Sequence, residues 1–202
     1  MSLQLGRQVF GDAKNTGNVL SREEAFQLLN EWVLNDRLKL HMIQVGGLMK
    51  SWAEEVELLS AEHIWKWEMA GLLHDADWDQ WPDQHCKKII EYLEEKQVCP
   101  EIIRAIASHG HVHFGVIPES RMDKMLYAFD ELSGLMHAYS LMRPSGYEGI
   151  ELKGALKRIK EKTFAANVSR DDIHDACQRA GLELNDLVGF IIKHQSNFKL
   201  IE

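Results

Sequence analysis

The 202-residue sequence predicts an all-α protein, and three observations support that fold class. Apolar residues recur at intervals of three and four positions along almost the whole chain, which is the period of an amphipathic helix. Alternation of apolar and polar residues, the pattern of a half-buried strand, never continues beyond about four positions. Capping residues, prolines and glycines separate the periodic segments at intervals that are typical of globular helices.

The first part of the chain carries the patterns of three helices. Ser21 and Glu24 have the spacing of a capping box, which predicts that a helix begins after Ser21. Asp36 starts a longer helix, whose apolar face recurs at three- and four-residue steps. Ser60 is the expected N-cap of a third helix, which runs to His74.

Proline positions define the helices that follow. Pro82 introduces a helix that extends to about Gln97, and His85 falls in its first turn. Pro100 occupies the first position of a helix that stops at His109, before a polar loop. The remaining predicted helices are residues 121–142, 149–163, 170–180 and 184–199.

A turn segment with one proline and two glycines, residues 143–149, is the best internal boundary. It divides a helical domain at residues 21–143 from a C-terminal helical extension at residues 144–202, which we expect to pack against that domain. Residues 1–20 contain three glycines and have no clear period, so we expect a separate arm or a short hairpin there.

Composition and charge restrict the functional class. Asp and Glu number 31 against 23 Lys and Arg, so the formal net charge is −8, which disfavours a basic groove for a nucleic-acid polymer. The hydrophobic fraction of 45% fits a globular core, but no apolar run is long enough for a membrane span. Three cysteines that form no CxxC pair, and the lack of a signal-peptide pattern, favour a cytoplasmic location.

Among the ten histidines, four lie on or at the margin of apolar helix faces, as does one aspartate. These residues are His41, His74, His85, His109 and Asp130, each from a different predicted helix. Any one of them alone is more simply explained as a hydrogen-bonded core residue. Together they would leave several buried polar groups to satisfy, each costing about 1–3 kcal/mol if unpaired, and one shared divalent metal site would satisfy them all. Asp75, next to His74, could add carboxylate oxygens to the same site.

The sequence contexts of these residues resemble a known family. The matching segments are Leu40–Val45, Gly71–Asp75, Ala105–His109 and Phe129–Leu132. Their order, H…HD…H…H…D, resembles the six-ligand subgroup of the HD superfamily of metal-dependent phosphohydrolases. Residues 130–134, 141–145 and 162–165 are similar to predicted HD hydrolases that carry a C-terminal helical extension.

The resemblance implies an HD-domain helical bundle that holds one or two divalent transition-metal ions. The ligand set that it implies is His41, His74, Asp75 and Asp130 for one ion, and His85 and His109 for a second. Asp75 would bridge the two ions and is therefore the expected catalytic residue. Mixed imidazole and carboxylate ligation suits iron, manganese, zinc or cobalt, and magnesium is also possible.

The activity implied by the resemblance is hydrolysis of a phosphomonoester or phosphoanhydride bond in a small phosphorylated compound, with a nucleotide as the expected substrate. A water between the ions would attack phosphorus. Some six-ligand relatives cleave dinucleoside polyphosphates. Two divalent ions would outweigh the charges of Asp75 and Asp130, so an acidic protein could still present a positive pocket to phosphate. The sequence specifies neither the exact substrate nor the oligomeric state.

The sequence departs from the pattern of many relatives directly after the HD pair. Those relatives read His-Asp-x-Gly-Lys, whereas here Asp75 is followed by Ala76, Asp77 and Trp78, so a lysine suited to phosphate binding is absent. This departure supports an alternative function, in which a catalytically degenerate HD domain binds metal or a nucleotide as a sensor or partner-binding module. Intact ligands favour the enzyme.

Several residues near the motif are candidates for a part in the site, and the substrate-binding residues are left open. The polar candidates are Asp77, Asp79, His111, His113, His137, Arg143, Lys153 and Lys162. Trp78 and Trp81, just past the HD pair, could stack on a nucleobase.

Overall fold

The computed structural model describes residues 16–200. Within that range the chain forms ten α-helices and contains no β-strand, which confirms the predicted all-α class. In chain order they are α1 (Arg22–Trp32), α2 (Asp36–Glu55), α3 (Ala61–Leu73), α4 (Lys87–Glu95), α5 (Pro100–Ser108), α6 (His111–Phe114), α7 (Arg121–Leu141), α8 (Leu152–Lys160), α9 (Arg170–Ala180) and α10 (Leu184–His194). None of these ten helices has the length and apolar character needed to cross a membrane.

The predicted N-terminal arm lies mainly outside the described residues. In its described part, Asn18 forms an isolated parallel bridge with Val98. The side-chain amide of Asn18 also donates to the carbonyl of Lys96 at 3.0 Å. These contacts hold the segment before α1 against the connection between α4 and α5.

The predicted starts of the first three helices are confirmed. The Oγ of Ser21 accepts from the backbone N of Glu24 at 3.2 Å, and Oε2 of Glu24 accepts from the backbone N of Ser21 at 2.7 Å. Asn35 caps α2 through its side-chain oxygen. Ser60 occupies the N-cap position of α3, where its hydroxyl lies 2.9 Å from Nδ1 of His63.

The helix predicted from Pro82 begins later than expected. Pro82–Gln84 form a single 3₁₀ turn and α4 starts at Lys87, so His85 precedes the helix and does not lie in its first turn. The reason is Asp77, whose buried carboxylate accepts a hydrogen bond from the backbone N of Ile89 at 3.0 Å. The start of α4 is therefore set by a capping side chain ten residues upstream, and not by Pro82.

Two more segments differ from their predictions. The segment after His109, predicted as a loop, contains the one-turn helix α6. The helix predicted at residues 149–163 spans only Leu152–Lys160. Its early end is explained by Arg170, whose guanidinium donates to several carbonyls of the segment that follows and folds that segment into a turn. The accepting residues are Ile159, Glu161, Phe164, Ala165 and Val168.

Helices α2 and α3 approach each other at two glycines. A Cβ placed on Gly71 would lie 2.8 Å from the Cα and the backbone N of Gly46, a distance that real Cβ atoms do not reach. Only glycine at this crossing allows the two backbones to come so close. His41 on α2 and His74 at the end of α3 flank the crossing, and their ring centroids are 5.3 Å apart. The spacing of these helices therefore sets the distance between two predicted metal ligands.

An aromatic cluster joins α2, α7 and α10. Phe129 on α7 is fully buried, with its ring centroid 5.8 Å from that of Trp52 and 5.8 Å from that of Phe190. Such ring pairs add about 0.5–1.5 kcal/mol each beyond the burial of their area. Because Asp130 follows Phe129, this cluster holds the site-bearing turn of α7 in place.

The C-terminal helices pack on the helices that carry the site. α9 lies along α7, and α10 contacts α2, α7 and α8. The predicted helix at residues 184–199 ends at His194, because Gln195 is buried and bonded elsewhere. Its side-chain amide donates to Oε1 of Gln44 at 2.8 Å and to the carbonyl of Ser133 at 2.9 Å. The division of the chain into a domain and an extension stays a prediction.

We expect Gly71→Ala to lower the free energy of unfolding by about 1–3 kcal/mol, because the added methyl would collide with the backbone of Gly46. Gly134→Ala is the matched control. Gly134 lies within α7 with open space at its Cβ position, so alanine should stabilise the protein by about 0.5–1 kcal/mol. Urea unfolding measures both variants. Unchanged stability of the Gly71→Ala variant would contradict the role given to this crossing.

Candidate metal centre

The structure brings all six predicted ligands together from five parts of the chain. His41 lies on α2 and Asp130 on α7. His74 and His109 are the C-caps of α3 and α5, and Asp75 follows His74 directly. The sixth, His85, lies between the 3₁₀ turn and α4. The ligand atoms fall into two groups of three, and the atoms of each group lie within 4.8 Å of one another.

The first group consists of His41, His74 and Asp130. Oδ1 of Asp130 lies 3.0 Å from Nε2 of His41 and 3.4 Å from Nε2 of His74. The His74 ring is fully buried, whereas 21% of the Asp130 side chain is exposed. In this group, the His74 imidazole is therefore shielded from solvent, whereas the Asp130 carboxylate is accessible to it.

The second group consists of Asp75, His85 and His109. Oδ1 of Asp75 lies 3.3 Å from Nε2 of His85 and 3.4 Å from Nε2 of His109. The two Nε2 atoms are themselves 3.3 Å apart. Oδ2 of Asp75 faces the first group, 3.5 Å from Nε2 of His74. Asp75 therefore lies between the two groups, which is where a bridging carboxylate would have to be.

Hydrogen bonds at Nδ1 fix the orientation of all four rings. His74 donates from Nδ1 to the carbonyl of Gly71 at 2.8 Å, and His109 donates in the same way to Ile106 at 2.6 Å. Because a carbonyl only accepts, Nδ1 carries the proton in both rings. In each neutral ring, the lone pair is then on Nε2, which is the atom that points at the carboxylates.

The other two rings are held by side chains. His85 donates from Nδ1 to Oδ1 of Asp77 at 2.6 Å. The Oγ of Ser133 donates to the backbone carbonyl of Asp130 at 3.0 Å and lies 3.3 Å from Nδ1 of His41. Since the hydroxyl has a single proton, its oxygen accepts from Nδ1 of His41. Partners of this kind orient metal-binding histidines in other proteins.

This arrangement places several hydrogen-bond acceptors close together, with no hydrogen-bond donor among them. With neutral rings, Nε2 of His85, Nε2 of His109 and Oδ1 of Asp75 face one another, and Nε2 of His74 is buried with no hydrogen-bond partner among the described residues. Lone pairs at these separations repel one another unless a cation lies among them. The donor set therefore fits divalent metal ions.

Charge interactions in the metal-free site favour the ionised forms. Burial lowers the pKa of His74, but the carboxylates of Asp75 and Asp130 outweigh it and raise the pKa to about 9. Burial also opposes ionisation of the two carboxyl groups, yet the imidazoles around them hold the pKa of both well below the usual range. Without metal, a proton on His74 takes the place of a cation.

A cleft of about 410 Å³ opens onto the two groups. Its lining includes four of the predicted ligands, the whole of α6, and residues from α7 and α9. The lining residues are Asp75, Trp78, Pro82, His85, His109, Gly110, His111, Val112, His113, Phe114, Tyr127, Asp130, Glu131 and Asp172. No Lys or Arg of the described chain is among them. The positive pocket that two metal ions would create is therefore partly neutralised by the further carboxylate of Asp172.

The acidic residues that follow the HD pair are held by structural hydrogen bonds. Asp77 uses one oxygen for Nδ1 of His85 and the other for the backbone N of Ile89. Oδ2 of Asp79 accepts from the backbone N of Leu34 at 2.7 Å and of Asn35 at 2.9 Å. Neither carboxylate lines the cleft, so neither would repel a phosphate group there.

The basic candidates lie elsewhere in the described structure. Arg143 donates to the carbonyls of Glu148 and Gly149 at 2.9 and 3.0 Å, which closes the turn after α7. Lys153 and Lys162 are exposed, and neither lines the cleft. None of these three residues replaces the missing lysine in this structure.

The remaining candidates divide between the cleft and the surrounding packing. His111 and His113 line the cleft as parts of α6, and so does Trp78, whose ring is half exposed. Trp81 instead packs edge-to-face on Trp32 with ring centroids 4.8 Å apart. Nδ1 of His137 lies 3.0 Å from the hydroxyl of Tyr147, away from the cleft lining.

Sequence reasoning missed Ser133, Tyr127, Glu131 and Asp172. Ser133 lies one helical turn after Asp130, a spacing that could have revealed it as a partner of a ligand. Burial and the neighbouring Asp130 charge raise the pKa of Glu131 to about 8, even though its Oε2 accepts from the backbone N of Ser169 at 3.1 Å. Asp172 had no sequence pattern that linked it to the motif.

Comparisons of the chain with protein-family models, with curated proteins and with solved structures gave no match.

We expect Asp77→Asn to weaken divalent metal binding by about 10–100-fold. Asp77 accepts hydrogen bonds with both of its oxygens, from His85 and from the backbone N of Ile89. The asparagine amide has only one oxygen, so its NH₂ group would face one of these two donors, and His85 would lose its charged partner. Asp79→Asn removes the same charge two positions away, from a residue that contacts the α1–α2 connection, and should change metal affinity by less than about twofold. Calorimetric titration with Zn²⁺ measures both. Equal metal affinity in the two variants would contradict the role of Asp77.

The stability of metal-free protein should decrease as the pH rises from about 6.5 to about 9. The pKa of His74 is about 9 in the folded chain and about 6.5 in the unfolded chain. Protonated His74 therefore contributes its full stabilisation below pH 6.5, and this stabilisation is lost as the pH rises to about 9. The loss should be on the order of 3 kcal/mol in urea unfolding of EDTA-treated protein. Zn²⁺ requires neutral His74, so in stoichiometric Zn²⁺ the folded protein no longer holds this proton and we expect the decrease to disappear. A flat profile without metal would contradict this account of His74.

Proposed function

We propose that this protein is a metal-dependent phosphohydrolase of the HD type that hydrolyses a small phosphorylated compound, with a nucleotide as the expected substrate. One observation carries the proposal. Four Nε2 atoms and two carboxylates converge beside a cleft that four of the six residues line, in an order along the chain that matches the HD pattern. The alternation of imidazole and carboxylate groups around Asp75 is the arrangement that a two-ion site requires.

The residues present fit two divalent ions. His41, His74 and Asp130 would hold one ion, and Asp75, His85 and His109 the other, with the second oxygen of Asp75 directed at the first group. Imidazole-rich ligation favours manganese, iron, cobalt or zinc over magnesium, which prefers oxygen ligands. Bound ions would supply a water of lowered pKa as the nucleophile and would polarise the phosphoryl oxygens.

The chain's own residues would orient the substrate around that centre. Asp75 and Asp130 are 18% and 21% exposed, so both carboxylates can be reached from the cleft. Trp78 presents a half-exposed ring 4.8 Å from the ring of His85, and it offers a flat apolar face on which a nucleobase could stack. Phe114 borders the cleft from α6 and limits the access of water on that side.

The cytoplasm is the proposed location. All three cysteines lie in the described part of the chain, where they are buried and form no disulfide. Reduced thiols of this kind are typical of cytoplasmic proteins.

The second candidate is a catalytically degenerate HD domain that binds metal or a nucleotide as a sensor. One observation favours it: within the described chain, no Lys or Arg lines the cleft. The two functions differ in turnover. A sensor would retain a bound nucleotide unchanged over hours, whereas the enzyme would release inorganic phosphate from it.

Metal analysis of the purified protein, followed by a screen for phosphate release with Mn²⁺, Zn²⁺, Co²⁺, Fe²⁺ and Mg²⁺, tests the proposal. We expect bound metal, and activity that EDTA abolishes. Asp75→Ala should remove metal and reduce phosphate release to background, because it deletes the carboxylate that faces both groups. Asp83→Ala, which changes an exposed acid on the nearby 3₁₀ turn, is the control and should stay active. Absence of metal, or full activity of Asp75→Ala, would overturn the proposal.

A further inference from the structure

The lining of the cleft beyond the metal ligands has an acidic side. Glu131 on α7 and Asp172 in the first turn of α9 both contribute carboxyl groups to it. No Lys or Arg of the described residues offsets them within the cleft. Because burial and Asp130 raise the pKa of Glu131 to about 8, the charges that oppose two divalent ions near neutral pH are those of Asp75, Asp130 and Asp172. A phosphate group could still bind the ions directly, but a second anionic group would meet a carboxylate without a cation to receive it.

The same side of the cleft contains polar atoms without partners. The hydroxyl of Tyr127 is buried, with 3% of the residue exposed, and it faces the carboxylates of Asp172 and Asp175 without a close hydrogen bond to either. Nδ1 of His111 is also buried and unpartnered, and the His111 ring packs on that of Tyr127 with centroids 4.9 Å apart. Unpaired buried polar atoms are costly, so a ligand group that hydrogen-bonds to them would be stabilised.

The acidic side is held in place by the C-terminal extension. The backbone N of Asp172 donates to Oγ of Ser169 at 3.1 Å, and the backbone N of Ser169 donates to Oε2 of Glu131 at 3.1 Å. α9 therefore docks onto α7 through the turn that follows the ligand Asp130. The position of Asp172 is set by this contact and not by a mobile loop.

We propose that Asp172, with the adjacent Tyr127 and His111, forms a selectivity subsite that accepts the hydroxyl- or amine-bearing part of a substrate with one phosphate group and rejects a second anionic group. This inference rests on the proposed phosphohydrolase function and narrows it. The substrate class becomes phosphate monoesters of alcohols, nucleoside monophosphates and amino alcohol phosphates included, in preference to di- and polyphosphates.

The reaction that this subsite would serve is the hydrolysis of a phosphomonoester. The oxygen of water forms a new bond to phosphorus while the ester P–O bond breaks. The leaving oxygen takes a proton and departs as an alcohol, and inorganic phosphate is the second product. The departing alcohol is the part of the substrate that lies against Asp172.

Two non-hydrolysable phosphonates of similar size separate the inference from turnover. 2-Aminoethylphosphonate carries an ammonium group at the end opposite to its phosphonate, whereas phosphonoacetate carries a carboxylate there. We expect the Mn²⁺-loaded protein to bind the first at least about tenfold more tightly, and Asp172→Asn to reduce that ratio by about tenfold. Asp171→Asn, an exposed neighbour on the same helical turn, should leave the ratio within about twofold. Calorimetric titration gives all of these affinities.

Equal binding of the two phosphonates, or equal ratios in Asp172→Asn and Asp171→Asn, would overturn the inference. As a second measurement, kcat/KM for a nucleoside 5′-monophosphate should exceed that for its 3′,5′-bisphosphate, and Asp172→Asn should narrow the difference. A protein that discriminates between the phosphonates but releases phosphate from no substrate supports the subsite and contradicts the proposed hydrolase. A hydrolase that prefers the bisphosphate contradicts the subsite alone.

Discussion

A histidine can direct its Nε2 lone pair only when another group fixes the ring and accepts the Nδ1 proton. In this protein, the backbone carbonyls of Gly71 and Ile106 perform that role for two rings, and Asp77 and Ser133 perform it for the others. Two of these partners are carbonyls in the last turns of α3 and α5, and each accepts the Nδ1 proton of the histidine at the C-cap of its own helix. The helix ends thus acquire hydrogen bonds, and the rings acquire their direction. The rest of the site depends on these Nδ1 hydrogen bonds. Because they fix all four rings, the Nε2 lone pairs of the neutral rings surround the carboxylates of Asp75 and Asp130.

The packing of the bundle determines whether those rings meet. The glycine crossing of α2 and α3 brings His41 and His74 together, and the aromatic cluster around Phe129 holds α7 at the distance where Asp130 faces both. On the other side of α7, Gln195 links α2 to the carbonyl of Ser133. Ser133 is itself the partner of a candidate ligand, so the C-terminal segment supports the candidate metal site through a short chain of buried hydrogen bonds.

The sequence predicted what depends on local or periodic patterns. The capping box at Ser21, the helical period of α2 and the placement of four histidines on apolar faces are readable because helix geometry repeats every few residues. The roles of Asp77 and Asp172 were not readable, since each depends on where a turn places one side chain relative to a distant helix. Asp77 caps α4 across an irregular segment, which is also why the start of that helix was predicted wrongly. Asp172 reaches the cleft only through the docking of α9 on α7.

The wall of the cleft and its floor come from different stretches of the chain. All six predicted ligands precede the turn that Arg143 closes, whereas Asp172 follows it. Selection can therefore act on the two parts at separate rates. Changes in α9 would alter which molecules are admitted while the ligand set stays the same, and loss of a ligand would silence the site whatever the wall accepts. Substitutions in α9 would therefore reshape the wall of the cleft and leave the six candidate ligands in place.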